Sequence, residues 1–239
     1  MLFRSLLAIP LRRRADLLAA QHDEPAFGGY AATRTAALQN VFLGPDGLFA
    51  LAGHAKDWWG FARAMQAAGL RKGTLVLNTL PYDLVPFGHM VDSGARAIGC
   101  PVIPAGTADV DKVAAIAARL APRFFCGTAE TLKTFLDAHE GRAKPALERA
   151  LLIGPLKQGL RNEFAMRGVA VRLVSVLPEL GVLAFESGTT DGMTLIEGLL
   201  LEIVDPQTGQ PVGDGGDGEM VLSRVNVDYP LLQIGRAHV

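Results

Sequence analysis

The stretch Thr74-Leu-Val-Leu-Asn-Thr79 is a short apolar run of the kind that forms a strand buried on both faces of a sheet. A helix is predicted to follow over residues 88–97, and a second strand over Cys100-Pro-Val-Ile-Pro104. Strand, helix and strand in this order form a unit in which the two strands run parallel. The segment therefore predicts an α/β fold.

The same alternation extends on both sides of this unit. An apolar stripe at helical spacing, predicted to end at Gly69, comprises Trp58, Trp59, Ala62, Met65 and Ala68. Further helices are predicted over residues 110–120, 130–139 and 156–167, and further strands over residues 123–127, 150–153 and 169–176. The pattern is that of stacked strand-helix units on a mostly parallel sheet.

The period of the apolar residues changes at residue 194. Residues 196–204 and 219–225 flank the turn Asp205-Pro-Gln-Thr-Gly209 and predict an antiparallel pair of strands. The glycine-rich stretch 213–218 leads into a strand and not a helix, so it is predicted to be a turn and not a phosphate loop.

Four segments follow from these patterns. They are an N-terminal segment (1–40), an α/β subdomain (41–193), the start of a small antiparallel β subdomain (194–233) and a tail (234–239). The tail, Ile234-Gly-Arg-Ala-His-Val239, is the translation of a widely used sequencing adapter. We therefore expect that it is not native.

Composition excludes two classes of partner. The 239 residues carry 23 Lys plus Arg against 24 Asp plus Glu, which leaves no excess positive charge for nucleic acid. No apolar run is long enough for a membrane span, and the leading residues lack the order of a secretory signal, so a cytoplasmic protein is expected.

Cys100 and Cys126 are predicted to be buried free thiols.

Several strings, in this order, resemble the large domain of adenylate-forming enzymes of the phenylacetate-CoA ligase-like branch. They are Leu11-Arg-Arg-Arg-Ala-Asp-Leu-Leu18, Pro25-Ala-Phe-Gly-Gly29, Asn78-Thr-Leu-Pro-Tyr-Asp-Leu-Val-Pro86, Ser93-Gly-Ala-Arg-Ala-Ile-Gly-Cys-Pro-Val-Ile-Pro-Ala-Gly106, Gly127-Thr128, Leu180-Gly-Val-Leu-Ala-Phe-Glu-Ser187 and Asn226-Val-Asp-Tyr-Pro-Leu-Leu232. The resemblance implies an ATP- and magnesium-dependent ligase that converts a carboxylic acid, aromatic or related, to an acyl-adenylate and then to an acyl-CoA. It also implies small-molecule partners and a homodimer as one option.

The family's phosphate loop corresponds to Phe42-Leu-Gly-Pro-Asp-Gly47, which has lost the hydroxyl residues of the family pattern. Gly44 and Gly47 could still offer backbone N–H groups to a phosphate, whereas Asp46 would repel it unless a metal lay between them. The alternative is an ordinary turn. Ser187-Gly-Thr-Thr-Asp-Gly192 is closer in composition to the loop, but its late position in the chain predicts a surface turn.

The family's adenine-contacting positions correspond to Gly154 and Ser175. A stacking ring is missing at Ser175, and Pro178 replaces a hydroxyl residue. The glutamate of the family pattern is retained as Glu179. The resemblance implies that this residue binds magnesium and phosphate, because a carboxylate is a hard oxygen ligand. The alternative is a solvated glutamate in a loop.

The family's acyl pocket corresponds to the segment 79–90, in which Tyr82, Pro86 and Phe87 can present apolar faces to a substrate. Packing of these side chains into the core is the alternative. His89 has no acid or nucleophile at a recognisable spacing and is predicted to be a hydrogen-bonded helix residue.

Two functional hypotheses follow. The first is a fragment of an acid-CoA ligase without its C-terminal lid domain, inactive alone; the second is a catalytically degenerate homologue that acts as a binding or regulatory protein. A dinucleotide-binding fold is disfavoured because no Gly-x-Gly-x-x-Gly connects a strand to a helix, and the nucleophile elbow of hydrolases is absent from the sequence as well.

Overall fold

The computed structural model describes residues 9–24, 26–139, 145–188, 191–213, 215–225 and 228–236. The chain forms two compact units. The sheet unit is His54–Ile196, and the terminal unit combines Met1–Gly53 with Glu197–Val239.

In chain order the elements are β1 (Arg12–Arg13), α1 (Arg14–Asp23), β2 (Asn40–Leu43), β3 (Phe49–Ala52), α2 (Phe61–Ala67), β4 (Val76–Asn78), α3 (Phe87–Ile98), β5 (Val102–Pro104), α4 (Val110–Leu120), β6 (Phe124–Gly127), α5 (Ala129–Asp137), β7 (Arg149–Ile153), α6 (Gln158–Met166), β8 (Ala170–Leu177), β9 (Gly181–Phe185), β10 (Thr194–Leu195), β11 (Leu199–Val204), β12 (Glu219–Arg224) and β13 (Leu231–Arg236). A 3₁₀ turn covers Thr35–Ala37.

The sheet unit is built on a sheet whose strands lie in the order β5-β4-β6-β7-β8-β9-β10. Strands β4 to β8 are mutually parallel, and β9 and β10 add two antiparallel neighbours. The predicted α/β class with a mostly parallel sheet is confirmed. The chain enters at β4, passes to β5 on one side, and then crosses to β6 on the other side, so the connections diverge beside β4.

Amphipathic helices cover this sheet and bury its largest side chains. Leu77, Phe125 and Leu152 from the strands pack with Phe135 of α5 and Phe164 of α6 in one cluster of fully or nearly fully buried residues. Complete burial of such a side chain contributes about 1.5–3 kcal/mol. The apolar runs that were visible in the sequence thus form the buried core of the sheet unit.

The start of α2 differs from the prediction, which was wrong for Trp58 and Trp59. Both residues lie in a turn before the helix, and Gly60 has a left-handed backbone with φ of 78°. The Asp57 carboxylate accepts hydrogen bonds from the N–H groups of Phe61 and Ala62, at 2.8 and 2.9 Å, and so caps the helix there. Trp59 is buried although it lies in the turn, so it fits the apolar spacing of the helix. The spacing alone therefore cannot show that the helix begins only after this cap.

The terminal unit contains a sheet with the order β1-β13-β12-β11 and a separate hairpin of β2 and β3. The predicted antiparallel pair is confirmed as β11 and β12. The short strand β1 pairs in parallel with β13, through Arg12 with Ile234 and Arg13 with Gly235. Backbone groups make this pairing whatever the origin of residues 234–236, so the non-native tail stays a prediction; residues 237–239 lie outside the described residues.

The hairpin of β2 and β3 belongs to the terminal unit. The sequence pattern assigned residues 41–193, which include this hairpin, to the α/β subdomain. The side chain of Gln21 on α1 is one contact that joins the hairpin to this unit. Its amide nitrogen donates to the Phe49 carbonyl at 3.0 Å, and its amide oxygen accepts from the Phe49 N–H at 2.7 Å. The same nitrogen lies 3.2 Å from the Tyr229 hydroxyl. One buried glutamine therefore connects three distant stretches of chain.

Candidate functional site

The carboxyl ends of β4, β6, β7 and β8 meet at one edge of the sheet unit, because these strands are parallel neighbours. In open α/β sheets, ligands bind outside the carboxyl ends of strands, at the point where the connections diverge. That point lies between β4 and β6 here. A cavity of about 270 Å³ opens at this position, and we call it the crevice.

The crevice has apolar walls and a threonine-lined base. Val113 of α4 and Phe135 of α5 contribute buried apolar surface, and Thr79 and Thr131 contribute hydroxyl groups. The Glu130 carboxylate lies at its exposed rim. An apolar cleft with few polar groups suits a small organic molecule, whereas Glu130 disfavours an anionic group at the rim.

The hydroxyl groups at the base are held by the start of α5. Thr79 Oγ1 lies 3.0 Å from Thr131 Oγ1 and donates to the Cys126 carbonyl at 3.2 Å. Thr128 and Thr131 form a capping box, in which the Thr128 side chain accepts from the Thr131 N–H. Gly127 makes room for both threonines, since a Cβ at this position would lie 2.6 Å from Thr131 Oγ1. The threonine hydroxyl groups at the base are therefore held in place by hydrogen bonds and close packing.

The predicted acyl-pocket segment lies beside the crevice, but Tyr82 is engaged in packing. Its hydroxyl donates to Asp92 Oδ1 at 2.8 Å and accepts from the side-chain amide of Asn78 at 2.8 Å. Its ring packs edge-on against His89 and lies where a Cβ on Gly88 would come within 2.8 Å. Burial, together with the hydrogen bond and charge of Asp92, raises the pKa of Tyr82 above its usual range, so the hydroxyl stays protonated.

Pro86 and Phe87 lie at the start of α3, where Pro86 is the N-cap residue and is buried. Phe87 is partly exposed. Thr79, from the same segment, lines the crevice, whereas Tyr82, Pro86 and Phe87 are not among its lining residues. Their predicted contact with a substrate stays a prediction.

The sheet brings the two predicted adenine-contacting residues next to one another. Ile153 of β7 pairs with Val174 of β8, and Gly154 and Ser175 are the next residues along each strand. Gly154 has φ of 89° and open space where a side chain would point. Glu179 lies in the turn between β8 and β9 with 7% of its surface exposed, so it is not a solvated loop residue.

The predicted phosphate-loop residues lie in the terminal unit, in the turn between β2 and β3. The Gly44 N–H donates to the Leu48 carbonyl at 2.8 Å, and the Gly47 N–H donates to the Gly44 carbonyl at 2.9 Å. The Asp46 carboxylate accepts from Arg14 Nε at 2.9 Å. Burial would raise the pKa of Asp46, but the hydrogen bond and charge of Arg14, with the Leu48 N–H, lower it overall.

The remaining predicted groups have structural roles or lie partly outside the described residues. Cys100 and Cys126 are buried free thiols, as predicted. Burial, and secondarily the charge of Asp92, raises the pKa of Cys126, so its thiol is protonated at neutral pH. The turn 187–192 precedes β10, a strand; its residues 189 and 190 are not described. Two of the strings that carry the family resemblance, 25–29 and 226–232, are described except for residues 25, 226 and 227.

Sequence reasoning missed Thr131 and the ion pair of Arg161 with Glu186. Arg161 Nη2 donates to Glu186 Oε1 at 2.7 Å, and the other carboxylate oxygen accepts from the Leu173 N–H at 2.9 Å. This pair joins α6 to the end of β9. The string Gly127-Thr128 was a usable signal for the capping box, but no local signal marks the pairing of Arg161 with a residue 25 positions later.

Within the described ranges, no group of three or more His, Cys, Asp or Glu side chains is arranged to hold a metal ion. A magnesium ion would therefore have to share Glu179 with oxygen atoms of a nucleotide and water, which is the usual way in which proteins bind this ion. A carboxylate is a hard oxygen ligand, so Glu179 is the residue that would hold such an ion, and this role stays a prediction. Among the described residues no helix is long and apolar enough to cross a membrane.

The molecule has the fold of the large N-terminal domain of adenylate-forming enzymes. A structure of 2-hydroxyisobutyryl-CoA ligase in complex with 2-HIB-AMP and CoA superimposes with a TM-score of 0.85 at 19% identity, over 95% of this chain and 54% of that chain. A benzoate CoA ligase from Burkholderia xenovorans LB400 superimposes with a TM-score of 0.64 at 17% identity, over 88% of this chain and 45% of the other.

Curated relatives carry the name phenylacetate-coenzyme A ligase. The protein from Aromatoleum evansii is 27% identical over an alignment of 234 positions, which covers 91% of this chain and 52% of the relative. The protein from Thermus thermophilus is 27% identical over an alignment of 243 positions, which covers 94% of this chain and 54% of the relative. No protein-family model matches the chain. The resemblance to phenylacetate-CoA ligase-like enzymes is confirmed, and the chain spans about half the length of these relatives.

Proposed function

We propose that the chain is the large-domain part of an ATP-dependent acid-CoA ligase that acts on an aromatic or related carboxylic acid. The acid would first displace pyrophosphate from ATP to form an acyl-adenylate. The thiol of coenzyme A would then displace AMP to form the thioester. Because the chain spans about half the length of its curated relatives, this activity is proposed for the protein that the complete gene encodes.

The observation that carries the proposal is the arrangement at the carboxyl edge of the sheet unit. Gly154 and Ser175 follow a paired position on β7 and β8, and Glu179 lies in the turn at the end of β8. Gly154, with no side chain, leaves space for a flat adenine ring against the strand ends. Glu179 would supply a carboxylate to magnesium, and the ion would neutralise charge on the phosphates of ATP.

The apolar part of the acid is assigned to the segment 79–90 and the adjoining crevice. Thr79 belongs to both, and Val113 and Phe135 provide the apolar surface that an aryl group requires. The hydroxyl groups at the base are already hydrogen-bonded to one another and to the Cys126 carbonyl. The base can therefore face an apolar group without leaving an unsatisfied donor.

A second candidate is a catalytically degenerate homologue that binds a ligand without activating it. The turn between β2 and β3 favours this candidate, because its Gly44 and Gly47 N–H groups donate to carbonyl groups of the hairpin. Asp46, which is anionic at neutral pH, would repel a phosphate at the same turn. Both features weaken a phosphate loop in which backbone donors must point at the nucleotide.

Thermal unfolding of the protein made from its complete coding sequence separates the two candidates. A ligase is stabilised by ATP with magnesium, and further by an aryl acid, and it releases pyrophosphate and forms a thioester when coenzyme A is added. A degenerate homologue shows no stabilisation by the nucleotide. If neither ATP nor any acid of a broad panel shifts the unfolding temperature, the ligase proposal is rejected.

A further inference from the structure

A second cavity of about 310 Å³ lies at the amino ends of the parallel strands, and we call it the amino-edge cleft. Its lining includes the charged side chains of Arg71, Arg123, Glu148 and Arg149. The strand register places Arg149 beside Phe124, which also lines the cleft. Val76 of β4 pairs with Phe124 of β6, and Phe124 pairs with Arg149 of β7. The cleft is thus at the opposite end of the strands from the crevice.

Two of the guanidinium groups are oriented by the backbone around them. Arg71 Nη1 donates to the carbonyl groups of Gln66 and Leu70, at 3.2 and 3.0 Å, at the end of α2. Arg149 lies against Gly69, where a Cβ would come within 2.7 Å of its Nη1. Gly69 has φ of 95°, a left-handed backbone conformation that favours glycine.

The charges of the cleft do not balance. Arg123 is paired with Glu148, with 2.9 Å between Nε and Oε1. Within the described part of the chain, neither Arg71 nor Arg149 contacts a carboxylate. The four charged groups therefore carry a net charge of two positive units, and both unpaired guanidinium groups lie on one cleft.

We propose that the amino-edge cleft binds a small molecule through a phosphate group. A phosphate dianion matches the two unpaired charges, and guanidinium groups bind phosphate oxygens with two parallel hydrogen bonds. The hydroxyl of Thr74, which also lines the cleft, offers a further donor. The volume admits a phosphomonoester or pyrophosphate, and the chain's balance of 23 basic and 24 acidic residues argues against a polyanion such as nucleic acid.

This site is independent of the proposed ligase chemistry, which uses the carboxyl ends of the same strands. A phosphate bound at the amino-edge cleft would contact Arg71 and Arg149, whereas ATP at the carboxyl edge would depend on Glu179. The two can be separated by mutation, so failure of one proposal leaves the other intact.

Calorimetric titration of the purified chain with sodium phosphate and sodium pyrophosphate tests the proposal, with sodium chloride and sodium sulfate at equal ionic strength for comparison. Arg71→Ala and Arg149→Ala should each weaken binding by about tenfold or more, because each removes charge-assisted hydrogen bonds. Arg149→Lys should weaken it less, since the charge remains but the fork is lost. Circular dichroism shows whether each variant folds.

Arg119→Ala is the matched control, because it removes an exposed guanidinium on α4 that does not line the cleft. It should bind as the original chain does. Equal binding by the original chain and by both folded variants, Arg71→Ala and Arg149→Lys, would overturn the proposal. So would a response to phosphate that sodium chloride reproduces. Inorganic phosphate and pyrophosphate as separate titrants then distinguish a single-phosphate ligand from a diphosphate.

Discussion

Arg14 Nε lies 2.9 Å from Oδ2 of Asp46, which joins the first turn of α1 to the hairpin turn that corresponds to the family's phosphate loop. The same carboxylate accepts from the Leu48 N–H at 3.4 Å. Asp46 thus organises its own turn as well as pairing with a cation. The residue that most opposes phosphate at this position is also one that holds the turn in shape.

Replacement of Asp46 by Asn should lower the free energy of unfolding by about 0.5–1 kcal/mol at pH 7, a value limited by the partial exposure of the pair. The folded-state pKa is below the ordinary 3.8, so the stabilisation is present above pH 3.8 and is lost as the pH falls through the folded-state pKa. Urea unfolding of both proteins between pH 2 and pH 7 measures this. A difference that grows on acidification would contradict it.

Replacement of Asp46 by Ser tests the turn as a nucleotide contact. If the turn touches phosphate in the complete protein, loss of the carboxylate removes a repulsion and frees the Arg14 cation, so ATP should bind several-fold more tightly. Calorimetric titration with ATP and magnesium measures the change. Unaltered binding would count against any nucleotide role for residues 42–47.

Replacement of Glu179 by Gln should remove the magnesium-dependent part of ATP binding, because an amide oxygen is a far weaker ligand for this ion than a carboxylate. The change preserves shape at a side chain with only 7% exposure. Asp111→Asn on α4 is the control, since it removes an exposed carboxylate of the same unit. ATP binding that keeps its full response to magnesium in the glutamine variant would exclude Glu179 from the site.

Replacement of Tyr82 by Phe should cost about 1–3 kcal/mol in the free energy of unfolding, because it removes the hydrogen bonds to Asp92 and from Asn78. The folded-state pKa lies above the ordinary 10.0, so this stabilisation is present below pH 10 and is lost as the pH rises toward the folded-state pKa. Tyr30→Phe, with no described hydroxyl partner, is the control. A fully stable variant with altered acid binding would instead support a role in the substrate pocket.

The sheet and helices were predictable because their signals are local. The bounds of α4, residues 110–120, agree with the prediction, since Asp109 caps the helix by accepting from the Lys112 N–H. By contrast, the pairing of β1 with β13 joins Arg12 to Ile234, and no pattern in a two-residue strand identifies so distant a partner. The hydrogen bonds of Gln21 on α1 to Phe49 on β3 likewise join residues 28 positions apart, and no local pattern identifies that pairing.

The candidate site was predictable only in part, for a related reason. The family resemblance indicated Gly154, Ser175 and Glu179, and the parallel register brings the first two to neighbouring positions. The crevice was not anticipated, because Thr79 and Thr131 are 52 residues apart and meet only through the pairing of β4 with β6. A rule about the carboxyl ends of parallel strands identifies the edge but not the side chains that face it.

Two glycines in helices of the sheet unit should respond in opposite ways to the same change, Gly to Ala. Gly94 on α3 is buried against the start of α2, where a Cβ would lie 2.6 Å from the Phe61 Cβ and 2.8 Å from the Ala62 nitrogen. Because backbone is the obstacle, the helices must separate, and Gly94→Ala should cost about 1–3 kcal/mol. Gly159 on α6 is exposed and has no atom within 4 Å of a new Cβ.

Gly159→Ala should therefore stabilise the chain by about 0.5–1 kcal/mol, through the better helix propensity of alanine and the smaller entropy of the unfolded chain. Urea unfolding followed by circular dichroism measures both variants against the original protein, with the slope of the unfolding free energy checked for constancy. The pair isolates packing from propensity, because each variant adds one methyl group to a helix. Equal and stabilising shifts in both would show that α2 and α3 do not approach as closely as described.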